Sequence, residues 1–218
     1  QLDYKTIGGS PLLGTAKPVF KAHGSSDAAA VLYGLNRMYG LGLSQEQLME
    51  RGVKIGADVP YCIMRGTALA EGIGERLTSL PPMPPCNILV AKPGISVSTK
   101  YVYENLHAND LRPEQHPDID GILDALKKQD LRGMAEALRD GNVLETVTAS
   151  AYPVIGKLKE TMEENGAAVA LMSGSGPTVF GIYEDRMQAR RAMAAIRKSR
   201  LAKQLFLTTP YNNNRRNG

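Results

Sequence analysis

Gly56-Ala57-Asp58-Val59-Pro60 sets a carboxylate in a corner bounded by one flexible and one rigid residue, and the reading of the chain turns on it. A carboxylate held there can stand at a fixed distance from a substrate hydroxyl, as base or orienting group. The same context suits a turn aspartate bonding its own backbone. Upstream, Gly24-Ser25-Ser26-Asp27-Ala28 places small residues before a strong helical pattern. Gly24 allows close backbone approach, Ser25 and Ser26 offer hydroxyls, and the helix start presents unpaired N–H groups and a positive dipole end. That chemistry suits a phosphate or a phosphate-bound magnesium; an ordinary N-cap is the other reading. A phosphate cradle with a positioned base is the minimum equipment for moving a phosphoryl group onto an alcohol.

The 218 residues, 43% hydrophobic and 22% charged, have the composition of a globular protein with a sizeable core. No apolar run approaches the roughly 20 residues that span a bilayer. The chain starts at Gln1 without an initiator Met and shows no basic-then-apolar leader, so a fragment or processed chain in a bacterial cytoplasm is expected. Cys62 and Cys86 are too few for a disulfide framework and read as reduced thiols. His23, His107 and His116 lack ligand spacing, so no protein metal site is expected. A net charge of +4 is compatible with anionic small molecules.

Ala28 to Tyr39 reads as a helix, capped by Asp27 or a preceding serine and stopped by Gly40. Ser44 and Gln47 form a capping box for a second helix through Arg51. Residues 56–70 read as a loop leading into strand. The proline-rich run 79–85 is the best domain boundary, since it continues neither helix nor central strand. Beyond it the pattern predicts a strand at 88–91 and helices near 99–107, 119–128 and 131–139, the last two capped by Asp118 and Asp130. A helix at 153–164, strands at 168–172 and 178–183, a basic helix at 185–199 and a strand at 204–208 complete an α+β arrangement. The basic helix reads as a solvated face backed by buried Met187, Met193, Ala194 and Ile196, not as a nucleic-acid stripe. The loop Ser173-Gly174-Ser175-Gly176-Pro177 suits either an anion-binding concavity or a glycine hairpin.

GSSDAAAVLYGLN at 24–36, GADVP at 56–60 with GTALAEGIGE at 66–75, and LMSGSGPTVFGIY at 171–183 resemble, in that order, the GHMP small-molecule kinases. Within that superfamily GADVPYCIMRGTALAEGIGE is similar to the family acting on 4-diphosphocytidyl-2-C-methyl-D-erythritol in non-mevalonate isoprenoid synthesis. The resemblance runs from about Gly24 to Thr208. It implies an α+β GHMP fold, with an incomplete ATP-binding N-terminal domain over 1–80, a C-terminal domain over 86–210 and a disordered tail over 211–218. It also implies transfer from ATP, with Mg2+, to the 2-hydroxyl of that small molecule, with no nucleic-acid or membrane partner.

Residue by residue, the resemblance makes Asp58 the base and puts Gly24, Ser25 and Ser26 around the ATP phosphates. Thr99 would bond the substrate diphosphate and Tyr103 would stack on the cytosine, a contact worth about 1–3 kcal/mol. Gly174, Ser175 and Gly176 would wall the same pocket. The chain departs from the family pattern upstream. The family's Lys-bearing Lys-Ile-Asn segment has no counterpart in residues 1–22, and Pro18 to His23 carries larger residues where the phosphate loop has glycines. Lys5, Lys17 and Lys21 read as surface residues. Two other readings therefore stay open: a catalytically inactive truncated fragment that at most binds nucleotide weakly, and another GHMP kinase, disfavoured by the block at 56–75.

Overall fold

The computed structural model describes residues 24–106, 116–139 and 141–211. The expectations for residues 1–23, His107 and 212–218 lie outside the described residues. The fold is α+β, with three helices and a hairpin followed by a four-stranded antiparallel sheet with helices on both faces.

Helix α1 (Gly24–Met38) buries Ala29 and leaves Val31, Leu35 and Met38 exposed on the other side. Helix α2 (Gln45–Gly52) has the expected capping box: Ser44 Oγ accepts from Gln47 N, and Gln47 Oε1 accepts from Ser44 N. Residues 59–64, expected as part of a loop leading into strand, instead form helix α3 (Val59–Met64). Pro60 pre-sets a helical φ at the first turn. Val59 and Ile63, four apart, face Leu48 and Ala29 in one small cluster. The α2–α3 crossing is close, because a Cβ on Gly52 would stand 2.8 Å from Val59 Cγ1. Gln45 Nε2 donates to the Ile63 carbonyl at 3.1 Å, tying α2 to the end of α3. Asn36 exchanges two hydrogen bonds with the Leu43 backbone, at 2.9 and 3.0 Å, and so fixes the α1–α2 turn.

Strands β1 (Ala68–Glu71) and β2 (Arg76–Ser79) pair as a hairpin across the Gly72–Gly74 turn. The proline-rich connector is irregular, as expected, but it is packed: Met83 is buried, and Gln129 Nε2 donates to the Pro82 carbonyl. Strand β3 (Asn87–Lys92) lies inside the sheet, between β5 (Val179–Tyr183) and β6 (Gln204–Thr208), with β4 (Val169–Met172) beyond β5. All pairs are antiparallel. Leu89 and Ala91 face a cluster with α8 (Val154–Glu164) and α9 (Arg186–Ser199), whereas Ile88 and Val90 face one with α5 (Ile119–Lys128) and α6 (Leu131–Ala137). Two covered faces explain the unbroken apolar run in β3. Asp118, Asp130 and Asp185 cap α5, α6 and α9. Helix α4 (Thr99–Glu104) is shorter than its pattern.

Two readings need correction here. The buried face of α9 is Ala189, Ala192 and Ile196, while Met187 and Ala194 are exposed. Small residues let α9 approach the sheet, and the basic side chains stay in water as expected. A further helix, α7 (Glu145–Ala151), was not expected, because Val143, Thr146, Val147 and Thr148 carry little helical preference. Among the described residues no helix is long and apolar enough to cross a membrane.

Two measurements check this packing. Leu158, fully buried between α8 and the sheet, should cost about 2–5 kcal/mol on replacement by alanine, whereas exposed Ile73→Ala should stay within about 0.5 kcal/mol in urea unfolding. Burial pushes the Cys86 thiol up to about 12 from 9.0, so the unfolded chain loses this proton first. Stability should therefore fall from about pH 9 toward about pH 12 as the unfolded chain alone ionises, and Cys86→Ala should flatten that fall in pH-dependent melts.

Candidate active site

The first group of predicted residues gathers where α1 meets α3. Gly24 is the first residue of α1, so Ser25 and Ser26 lie within its first turn and not in a loop before it. Asp27 is therefore a helical residue and not the N-cap. The first turn of α1 is thus the segment predicted as the cradle, and it carries the positive end of the helix dipole. Ser25 Oγ lies 3.8 Å from where a Cβ on Gly56 would stand, which sets the serine hydroxyl against the GADVP segment. Ser26 Oγ is 3.8 Å from Cys62 Sγ on α3. Asp58 holds the N-cap position of α3 in αR conformation and makes no capping hydrogen bond. The residue is exposed.

The second group stands at one end of the large sheet. Strand β3 ends at Lys92, and the chain turns through Pro93-Gly94 into α4, whose N-cap Ser98 accepts from Tyr101 N. Thr99 Oγ1 is 3.0 Å from Ser175 Oγ, so two segments far apart in sequence share a hydrogen bond. Tyr103 lies one turn beyond Thr99 on α4, with 61% of its surface exposed. Lys203 N donates to the Lys92 carbonyl at 2.8 Å. Burial and the charge of Lys203 hold the Lys92 ammonium below its ordinary range, so this end of the sheet is electropositive.

The glycine loop between β4 and β5 is shaped from below. Gly174 and Gly176 have φ of +56° and +85°. A Cβ on Gly176 would stand 2.6 Å from the buried Met172 Sδ. Asn142 Nδ2 donates to the carbonyls of Met172 and Gly174, both at 2.8 Å. Thr148, fully buried on α7, donates from Oγ1 to the Ser175 carbonyl at 3.1 Å. Glu145 Oε2 accepts from Met172 N at 3.0 Å, and its other oxygen pairs with Lys159 of α8. Asn142, Glu145 and Thr148 were missed by sequence reasoning. Their only signal is their position around a short helix without a clear apolar period.

No group of three or more His, Cys, Asp or Glu side chains that could hold a metal occurs among the described residues. A surface depression of about 370 Å³ near Arg132, Arg139 and Glu184 contains none of the predicted site residues. Its Arg132 and Glu184 pair with each other at 2.7 Å, which holds that carboxyl below its ordinary range.

Family models match this arrangement in two blocks: the GHMP kinases N terminal domain over residues 22–66 and GHMP kinases C terminal over 105–202. The chain belongs to the GHMP kinase family. It is 54% identical over 190 residues to the 4-diphosphocytidyl-2-C-methyl-D-erythritol kinase of Lachnospira eligens, covering 87% of this chain and 65% of that protein. The kinase of the same name from Lachnoclostridium phytofermentans is 52% identical, covering 86% of this chain and 63% of that one. The chain thus spans a little under two thirds of the length of these relatives. Among solved structures, a 4-(cytidine 5'-diphospho)-2C-methyl-D-erythritol kinase superposes with TM-score 0.66 at 32% identity, covering 85% of this chain and 64% of that one. Homoserine kinase from Cytophaga hutchinsonii superposes with TM-score 0.72 at 18% identity, covering 85% and 64%, a likeness of fold alone.

The two loop glycines provide a contrast for measurement. Gly176→Ala meets both an unfavourable φ and Met172, and should lower unfolding free energy by about 1–3 kcal/mol. Gly174→Ala meets open space and should cost only the backbone term, about 1 kcal/mol.

Proposed function

We propose that this chain is the major part of an ATP-dependent kinase that phosphorylates the 2-hydroxyl of 4-diphosphocytidyl-2-C-methyl-D-erythritol in a bacterial cytoplasm. Asp58 takes the proton of that hydroxyl as its oxygen accepts the phosphoryl group. Gly24, Ser25 and Ser26 receive the nucleotide phosphates at the start of α1, where serine hydroxyls and the positive end of the helix dipole fit an anion. The donor set also suits Mg2+, which carries few protein ligands when bound to phosphates; Ser25 or Ser26 would supply a hydroxyl. ATP supplies the transferred phosphoryl group. Thr99 and the loop Gly174-Ser175-Gly176 hold the substrate diphosphate beside Lys92, and Tyr103 offers its ring to the cytosine. Two domains, about 1–80 and 86–210, carry the two halves of the site. Separate apolar clusters on either side of the proline-rich connector support that division.

One observation carries the reading. Segments singled out for phosphotransfer meet in pairs, Ser25 beside Gly56 and Thr99 on Ser175, in a chain whose named relatives are kinases of this substrate.

The test is ADP release with diphosphocytidyl-methylerythritol, on the 218-residue chain and on a chimera carrying the upstream third of the Lachnospira eligens relative. The chimera should turn over, and Asp58→Asn should lower its kcat by about 10²–10⁴ with KM nearly unchanged. The 218-residue chain alone should show negligible turnover. An active chimera indifferent to Asp58→Asn would refute the assignment of the base.

A further inference from the structure

The glycine loop has more carbonyl partners than a hairpin requires. Its Met172, Gly174 and Ser175 carbonyls accept from Asn142 and Thr148, and its Ser173 carbonyl accepts from Gly176 N. Ser173 N donates to the Thr178 carbonyl. Among the described residues the N–H groups of Gly174 and Ser175 make no hydrogen bond, and both residues are only half-buried. A trans peptide is planar, with its carbonyl and the next N–H on opposite sides. Holding the Gly174 carbonyl on Asn142 therefore turns the Ser175 N–H away from Asn142. With the carbonyls drawn inward, a neighbouring anion meets N–H dipoles and the hydroxyls of Ser175 and Thr99.

We infer that Asn142, Glu145 and Thr148 are positioning residues that hold the glycine loop with its Gly174 and Ser175 N–H groups presented to the diphosphate of a nucleotide-like ligand. The inference rests on the ligand proposed above for that loop. Asn142 sets the Gly174–Ser175 peptide plane directly; Thr148 sets the Ser175–Gly176 plane, whose N–H bonds the Ser173 carbonyl and so fixes the plane that carries the Gly174 N–H. Glu145, bonded to Met172 N and paired with Lys159, fixes the register of α7 against β4, and with it the two donors. These side chains act through the loop and do not touch the reacting atoms.

The experiment uses the full 218-residue chain, ¹⁵N-labelled, with cytidine diphosphate as probe. Thr148→Val removes one hydroxyl at constant shape, Thr148→Ser keeps it, and Asn142→Ala removes two donated bonds; thermal melts check folding. Expected are lower heteronuclear NOE values at Gly174 to Gly176 in Thr148→Val and Asn142→Ala, cytidine diphosphate binding weaker by about tenfold, and recovery of both in Thr148→Ser. The serine control keeps the test decisive should Asn142→Ala fail to fold. Unchanged loop signals in Thr148→Val, or a loosened loop with unchanged affinity, would overturn the inference. A wild-type chain that ignores cytidine diphosphate while Thr148→Val loosens the loop would uphold the positioning role and sink the proposed ligand.

Discussion

Burial of β3 on both faces is the constraint on which the rest of the structure depends. Leu89 and Ala91 lose all contact with water on one side, and Ile88 does nearly so on the other. Each large apolar side chain withdrawn in this way contributes about 1.5–3 kcal/mol, so neither face can be left uncovered. Helices α8 and α9 close one face, and α5 and α6 close the other. The antiparallel pairing of β5 and β6 with β3 then brings particular chain ends together. The exit of β3, the entry of β5 and the entry of β6 share one end of the sheet. Lys92, Lys203 and the glycine loop meet there because the core is built as it is.

The helical unit at the other end of the chain is held differently. Its cluster is small, with Ala29, Leu48, Val59 and Ile63 as the buried members, and α1 shows Val31, Leu35 and Met38 to solvent. Directional bonds supply much of its shape: the Asn36 exchange with Leu43, the capping box at Ser44, and Gln45 reaching the end of α3. An apolar core tolerates small sliding, whereas such bonds fix angles. Those bonds hold Ser25 near Gly56.

Much of this was legible in the sequence wherever one signal dominated. Capping residues followed by periodic apolar positions located α2, α5 and α6, and the continuous run at 88–91 located β3. Reading failed where tertiary contacts overrode local pattern. In α3, Tyr61 and Ile63 alternate as a strand would, yet Pro60 and the packing of Val59 on Gly52 make the segment helical. The alanines of α9 were passed over as a buried face in favour of larger Met187, because apolar size is a poor guide where a helix lies close to a sheet. The candidate site residues Asp58, Ser25, Thr99 and Ser175 each stand out by motif. Their support does not. Asn142, Glu145 and Thr148 matter through contacts with a loop some thirty residues away, and nothing local in the chain announces that.

Gly52 has a consequence that reaches beyond packing. Val59 occupies the space a side chain at position 52 would need, and Val59 directly follows Asp58. The absence of one carbon atom on α2 therefore determines how deeply α3 settles, and with it where the carboxylate stands relative to Ser25. Even a methyl group at position 52 would act as a wedge, lifting α3 and shifting the carboxylate without touching it. The distance between the proposed base and the proposed phosphate site is thus governed from the far side of the helix, by a residue that carries no chemistry of its own.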